Sequence, residues 1–218
     1  MRRILVILAF IVGAEQGISA QERTFTPQQA LDELVKGNER YVSGKIDYPT
    51  RDIFNRAELA KGQAPFAVIV SCSDSRVPPE IIFDQGLGDT FIVRVAGNVI
   101  GALELESVLF GTDALKAPLI LVLGHSNCGA VKAAIEGGDA VRDIPKIAKQ
   151  LEPALKVKPV KGTPRLEQVI KTNVEYVRDQ LRAIPLLAQF IRDQRLKIIG
   201  GYYELETGKV ILLDPSPL

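Results

Sequence analysis

The chain has 218 residues, of which 27 are basic and 26 acidic, so its formal net charge is +1. Hydrophobic residues make up 46% and charged residues 24%, a composition that is ordinary for a globular protein with one sizeable core. The sequence has no basic stripe, so nucleic acid is not an expected partner. Function must therefore be sought in a local site.

The first residues have the organisation of a secretory signal. Arg2 and Arg3 precede an apolar run over residues 4–14, and small residues stand at positions 17, 19 and 20. This run is shorter than the roughly 20 apolar residues of a membrane span. We expect residues 1–20 to be a cleaved signal peptide and residues 21–218 to form a single catalytic domain. The mature protein is then periplasmic or secreted and has no membrane partner; a retained N-terminal anchor is the alternative.

Helices and strands are predicted to alternate along the rest of the chain. Thr26 and Pro27 suit the start of a helix, which Gly44 is expected to end. Continuous apolar runs predict strands buried on both faces at 66–71, 90–95 and 118–123. Helical spacing is found over 102–116, 130–136, 141–157, 165–182 and 186–194. Two further apolar runs, 197–205 and 209–213, flank a turn at 206–208.

This order of elements predicts an α/β fold. We expect a mostly parallel central sheet flanked by helices, with an antiparallel strand pair at the C-terminal end. No interior linker rich in proline, glycine or serine divides the chain. One domain is therefore expected.

Two of the predicted strands are followed by clusters of chemically active residues. Cys72 comes directly after the run 66–71, and His125 and Cys128 follow the run 118–123. Because ligands bind outside the carboxyl ends of parallel strands, both clusters should meet at one edge of the sheet. Thiolates and a neutral imidazole are preferred zinc ligands, and three protein ligands leave a fourth position open for a water that loses a proton near pH 7. The pattern predicts a catalytic zinc site.

Asp74 and Arg76 are expected to form a second layer of this site. Asp74 could itself occupy the open position, but Arg76 can hold the carboxylate away through a two-pronged ion pair and keep it ionised. The free carboxylate oxygen would then orient the zinc-bound hydroxide towards a substrate. An ordinary surface ion pair is the alternative interpretation of the two residues.

Two other interpretations of the cysteines stay open at this point. Cys72 and Cys128 are the only cysteines, and in an oxidising compartment they could form a disulfide in a secreted protein without catalytic activity. A structural zinc site is the other interpretation. It would need a fourth ligand, for which Asp74 is the nearby candidate.

The residues resemble a known family. The run CSDSR at 72–76, followed by HSNCG at 125–129, resembles the signature of the β-class carbonic anhydrases, and GDTFIVRVAGN at 88–98 extends the resemblance. The resemblance implies zinc held by Cys72, His125 and Cys128, with Asp74 and Arg76 as the catalytic dyad. The implied reaction is the reversible hydration of carbon dioxide to bicarbonate and a proton. Hydrolysis of carbonyl sulfide or carbon disulfide, which some relatives perform, is the alternative.

The resemblance also implies a substrate pocket and an oligomer. The matching pocket positions are Gln63, Phe91, Ala96, Phe110 and Gly129. Gln63 matches a glutamine that hydrogen-bonds the substrate near the zinc, and Gly129 would bring a backbone N–H near the zinc-bound species. A homodimer or tetramer is implied, in which Gln63, Phe91 and Phe110 are expected to act across the subunit interface.

Two residue types that the sequence lacks, a tryptophan at position 69 and a second histidine, refine the expected mechanism. Members that bind bicarbonate at a separate inhibitory site usually carry a tryptophan three residues before the first cysteine, and this position is Ile69 here. Arg94 does match a residue of that inhibitory site. We expect an open zinc site without bicarbonate regulation. His125 is the only histidine in the chain, so no second imidazole can carry the proton away, and turnover should depend on buffer.

Overall fold

The structure is a computed structural model, and it describes residues 25–47, 56–57 and 59–213. The signal peptide expected at residues 1–20 lies outside the described residues. Among those that are described, no helix is both long enough and apolar enough to cross a membrane.

A five-stranded sheet forms the centre of the described chain. Its strands are β1 Ala67–Ser71, β2 Thr90–Arg94, β3 Leu119–His125, β4 Lys197–Tyr203 and β5 Val210–Leu212. Their order in the sheet is β2-β1-β3-β4-β5. The first four strands are parallel, and β5 pairs with β4 in the antiparallel direction. The α/β fold with an antiparallel pair at the C-terminal end is therefore confirmed.

Several α-helices accompany this sheet, and residues 56, 57 and 59 are also helical. Those with defined bounds are α1 Pro27–Ser43, α2 Pro79–Ile82, α3 Ala102–Leu109, α4 Gly129–Glu136, α5 Pro145–Leu155, α6 Arg165–Arg182 and α7 Pro185–Arg192. The sequence pattern did not reveal α2, because four residues are too few to display a helical period.

Two predicted helices differ from those observed. The α-helix expected over 102–116 is shorter than predicted, because α3 ends at Leu109. The chain then continues as a π-helical turn, Phe110–Ala114. The helix expected over 141–157 starts only at Pro145. Gly137 and Gly138 both have positive φ angles, of 67° and 56°, and a short 3₁₀ turn follows, so the chain reaches helical geometry later than the apolar spacing indicates.

The ends of α1 are fixed by local hydrogen bonds. Thr26 Oγ1 accepts from the Gln29 N–H at 3.2 Å, and the Gln29 side chain accepts from the Thr26 N–H at 2.9 Å. This reciprocal pair is a capping box, which satisfies two donors that a helix start leaves free. Gly44 ends the helix with a φ of 69°, a left-handed conformation that glycine adopts without a steric cost.

The strands β1 and β3 are buried on both faces, as their continuous apolar runs predicted. The same prediction was wrong for β2, which lies at the edge of the sheet and is only partly buried, with Arg94 exposed. On one face Ile69 and Leu121 pack with Leu34 of α1. On the other, Val68 and Val122 pack in one cluster with buried residues of α6 and α7. Side chains alternate between the faces along each strand, so a strand covered on both sides must be apolar at every position.

The strand order also decides where the chemically active residues meet. β1 lies between β2 and β3, and Ser71 is aligned both with Arg94 and with Leu123. The residues that follow these three strands therefore leave the sheet at one edge. This edge carries the site.

Candidate metal centre

Three buried side chains converge at the carboxyl edge of the sheet. Cys72 is the first residue after β1, His125 is the last residue of β3, and Cys128 precedes the first turn of α4. One ligand atom from each lies within 4.8 Å of the others, and all three residues are buried. The structure thus brings together the three ligands that the sequence predicted.

The spacing and chemistry of these atoms fit a zinc ion. The two sulfur atoms are 4.0 Å apart, and tetrahedral zinc with bonds of about 2.3 Å would hold them roughly 3.8 Å apart. His125 Nδ1 lies 2.9 Å from the Ser126 carbonyl oxygen. Nδ1 donates to this oxygen, which leaves a lone pair on Nε2. Within the described residues, Nε2 is buried and has no hydrogen-bond partner, as expected of a nitrogen reserved for a metal.

The two cysteines are free thiols and form an unequal pair. The hydrogen bond between the two sulfurs lowers the pKa of Cys72 and, together with burial, raises the pKa of Cys128. The hydrogen bond between the sulfurs therefore favours ionisation of Cys72 over ionisation of Cys128. A divalent cation would favour ionisation of both.

Asp74 and Arg76 form a two-pronged ion pair beside the cluster. Arg76 Nε donates to Asp74 Oδ1 at 2.9 Å and Nη2 donates to Oδ2 at 2.7 Å, while the Arg76 backbone N–H also donates to Oδ1 at 3.0 Å. These hydrogen bonds hold the pKa of Asp74 well below its usual range. Asp74 Oδ2 lies 3.9 Å from His125 Nε2, so an ionised carboxylate faces the ligand atoms.

Two further residues fix Cys72 and its loop. Arg94, at the end of β2, donates from Nε to the Cys72 carbonyl at 2.9 Å and from Nη2 to the Asp74 carbonyl at 2.6 Å. The Gly97 N–H donates to Cys72 Sγ at 3.2 Å. The sequence associated Arg94 only with an inhibitory site and did not single out Gly97. No local pattern marks either contact, because each depends on β2 lying beside β1.

Ala96 and Gly129, two of the predicted pocket residues, are neighbours in the chain of residues that belong to or contact the ligand cluster. Ala96 begins the short 3₁₀ turn Ala96–Asn98, whose middle residue contacts Cys72. Gly129 is the first residue of α4 and directly follows Cys128. Its N–H therefore belongs to the helix start, where backbone donors are not used within the helix.

The structure does not bring the other three predicted pocket residues to the cluster within one chain. Gln63 is exposed and precedes β1, and Phe91 is aligned with Val68, four residues before Cys72. Phe110 is 52% exposed, and its ring lies 6.1 Å from that of Phe91. These residues lie at the amino end of the sheet, whereas the metal ligands lie at the carboxyl end.

The sequence of this chain is similar to those of known proteins over most of its length. Residues 67–210 match the family model described as carbonic anhydrase. Carbonic anhydrase 2 of Mycobacterium tuberculosis is 39% identical over 196 residues, covering 86% of this chain and 93% of that protein. A carbonic anhydrase of Mycolicibacterium smegmatis is 39% identical over 194 residues, covering 85% and 93%.

Solved structures agree in fold. The β-carbonic anhydrase CcaA superposes with a TM-score of 0.68 at 27% identity, covering 84% of this chain and 95% of that one. A tetrameric β-carbonic anhydrase of Sordaria macrospora gives a TM-score of 0.68 at 22% identity, covering 86% and 98%. The matched residues 67–210 include Cys72, His125 and Cys128. The chain therefore belongs to the β-carbonic anhydrase family, whose general reaction is the hydration of carbon dioxide.

Proposed function

We propose that this protein is a zinc enzyme that reversibly hydrates carbon dioxide to bicarbonate and a proton. The observation that carries this proposal is the buried cluster of Cys72, His125 and Cys128 with an ionised carboxylate beside it. The chain contains no further cysteine or histidine, so a tetrahedral ion keeps one position for a reactant. A bound zinc ion would supply an acidified water as the nucleophile.

Asp74 would orient this nucleophile. Its carboxylate is ionised and can only accept hydrogen bonds, so it would receive the remaining hydroxyl hydrogen and direct the lone pair of the attacking oxygen at carbon dioxide. Arg76 engages both carboxylate oxygens, which opposes rotation of Asp74 onto the open position. The dyad would thus keep the site open and the nucleophile aligned.

The start of α4 would receive the anionic product. Gly129 leaves open space beside the backbone, since no atom lies within 4 Å of the point that a β-carbon would occupy there. Free backbone N–H groups and the helix dipole favour negative charge at a helix N-terminus. We therefore assign the Gly129 N–H to the stabilisation of bicarbonate as it forms.

The test is stopped-flow hydration of carbon dioxide by the purified protein, with zinc quantified in the same sample. We expect one zinc per chain and rapid hydration, both lost in Cys128→Ser. Ser73→Ala, an exposed position beside Cys72, is the matched control and should retain both. Zinc without hydration would point to carbonyl sulfide or carbon disulfide as substrate and contradict the proposed reaction. Neither zinc nor hydration would overturn the zinc site itself.

We also propose that the active enzyme is a homodimer, or a tetramer built from such dimers. Phe110 and Leu103 are 52% and 74% exposed, so a second subunit could cover both apolar side chains. A second subunit covering them could carry its Gln63, Phe91 and Phe110 to the metal centre of the first. Sedimentation should then give twice or four times the mass of the mature chain, and a monomer would contradict this assembly.

The location of the enzyme is a separate proposal. We infer that residues 1–20 are removed during export and that the mature enzyme is periplasmic or secreted, because the basic start and short apolar run have the organisation of a signal peptide. N-terminal sequencing of the protein after expression of the full chain in a bacterium should find Gln21 as the first residue. A first residue at the original start would contradict cleavage.

A further inference from the structure

Asn173 is a polar residue on the buried side of α6. It is fully buried, and its neighbours Val169, Ile170, Val174 and Val177 on the helix are buried and apolar. A buried amide lowers stability unless it is hydrogen-bonded. Asn173 Nδ2 donates to the Gly97 carbonyl at 2.9 Å, whereas Oδ1 has no partner among the described residues. The single side-chain hydrogen bond of Asn173 thus ends at the turn beside Cys72.

Packing alone does not explain an asparagine at this position. A leucine has a similar size, would match the apolar neighbours and would leave no oxygen without a partner. The amide contributes one thing that leucine lacks, which is a donor for the Gly97 carbonyl. The function of Asn173 should therefore be sought at Gly97.

Gly97 lies in a tight turn that the Asn98 N–H closes by donating to the Val95 carbonyl at 2.8 Å, and Asn173 adds a contact from outside the turn. The φ of Gly97 is 75° and its ψ is 14°, and Asn98 follows with a φ of 46°, so two successive residues are left-handed. Glycine has more accessible backbone conformations than any other residue, so a contact from outside the turn adds to the restraint on the direction of the Gly97 N–H. Asn173 holds the carbonyl of Gly97, and the N–H of the same residue donates to Cys72 Sγ at 3.2 Å.

We propose that Asn173 is a positioning residue of the metal centre, which keeps the Gly97 N–H directed at the Cys72 sulfur. A hydrogen bond to a thiolate withdraws charge from the sulfur, so the charge that Cys72 offers to a metal depends on α6. This inference rests on the proposed function, since it takes Cys72 to be a zinc ligand. Outer-shell hydrogen bonds orient metal ligands, and losing one lowers metal affinity by about 10–100-fold.

The first experiment detects the hydrogen bond in the metal-loaded protein. An amide proton bonded to a metal thiolate shows a scalar coupling to ¹¹³Cd, so ¹⁵N-labelled protein with ¹¹³Cd in place of zinc should show this coupling at Gly97. Its absence in the wild-type protein would overturn the proposal. The coupling should disappear in Asn173→Leu, whose side chain has no donor for the Gly97 carbonyl.

The second experiment measures zinc affinity by competition with a chelator. We expect Asn173→Leu to bind zinc about 10–100-fold more weakly than the wild type. Val177→Ala is the control, because Val177 is a buried residue of the same helix that packs in the cluster with Val68 and Val70 rather than at the turn. It should lower stability and leave the affinity and the Gly97 coupling unchanged. An unchanged affinity and a retained coupling in Asn173→Leu would overturn the proposal.

A third measurement separates this inference from the proposed function. In the metal-free protein the Gly97 amide should exchange its hydrogen faster in Asn173→Leu than in the wild type or in Val177→Ala. Equal exchange rates would overturn the role of Asn173 whether or not the protein binds zinc. Failure of the wild-type zinc protein to hydrate carbon dioxide would instead overturn the proposed function and leave the Gly97 result standing.

Discussion

Arg76 holds Asp74 through two parallel side-chain hydrogen bonds of 2.9 and 2.7 Å, and the same carboxylate lies 3.9 Å from His125 Nε2. The Arg76 side chain is 53% exposed. Exposed ion pairs contribute little to folding stability. Breaking this pair should therefore change catalysis much more than stability.

The dyad can be tested with Arg76→Lys. Lysine keeps the positive charge but cannot form the two parallel hydrogen bonds, so Asp74 should lose its fixed orientation. A misplaced catalytic group typically slows a reaction by about 100-fold, and we expect that loss in kcat/KM with unchanged zinc content. Stopped-flow hydration and metal analysis measure the two quantities. Wild-type kcat/KM in Arg76→Lys would mean that positive charge alone is sufficient at this position.

The proposed sharing of the active site between subunits predicts complementation between an inactive subunit and an impaired one. Gln63→Ala should lower kcat/KM by about tenfold, the equivalent of one lost hydrogen bond. Cys128→Ser should be inactive. In a mixed dimer, the intact metal centre of the Gln63→Ala subunit would receive Gln63 from the Cys128→Ser subunit, so one site per dimer should work at the wild-type rate.

Differently tagged subunits allow the mixed dimer to be purified after refolding together. If Gln63 served the metal centre of its own chain, the mixed dimer would show only half the activity of the Gln63→Ala homodimer. The two outcomes are well separated, so this assay decides between contributions within and between subunits.

Gly124, the residue before His125, should not tolerate a side chain. A β-carbon there would lie 2.6 Å from Val174 Cγ2 and 3.1 Å from Ile170 Cγ2, both on α6. Overpacking a core position typically costs about 1–3 kcal/mol, and we expect Gly124→Ala to lower the free energy of unfolding by that amount. Gly62→Ala has no atom within 4 Å of the added carbon and should leave stability nearly unchanged in the same denaturant titration.

Alkaline pH should destabilise the fold through Tyr202. Burial, with smaller contributions from Glu167 and Glu204, raises the pKa of Tyr202 to about 12. An unfolded tyrosine titrates near pH 10, so the folded state holds the proton more tightly. This contribution to stability is fully present below about pH 10 and is lost as the pH rises towards about 12.

The predicted loss of stability at alkaline pH can be tested by denaturant titrations of the wild type and Tyr202→Phe between neutral pH and pH 12. The wild type should lose stability more steeply above pH 10 than Tyr202→Phe does. Tyr176→Phe, at a partly exposed tyrosine of α6, controls for the loss of a hydroxyl. Equal slopes for the wild type and Tyr202→Phe would contradict the prediction.

Proton export should depend on the solution, because the chain contains one histidine and that residue is a metal ligand in the proposed site. Turnover at fixed pH and ionic strength should therefore rise with the concentration of an imidazole-type buffer until another step limits the rate. The assay is stopped-flow hydration over a buffer series. A rate independent of buffer concentration would contradict this prediction.

Much of the fold was predictable because its signals are local. The limits of α6 agree with those predicted over 165–182, since its apolar residues recur at helical spacing over five turns. The strands β1 and β3 also follow their apolar runs, because a sheet covered on both faces requires apolar side chains throughout. The short α2 and the late start of α5 were missed, because backbone geometry at turns leaves no apolar pattern.

By itself, the sequence determined the chemistry available to this protein. Cysteine, histidine and aspartate follow two apolar strands in the order and spacing of a family signature, and side-chain chemistry then limits the metal. Only the tertiary structure decided which groups control those ligands. Arg94 reaches the Cys72 carbonyl from 22 residues away, and Asn173 reaches Gly97 from 76 residues away. Such contacts arise from the parallel pairing of β1 with β2 and the packing of α6 on the sheet, and neighbouring residues in the sequence do not encode them.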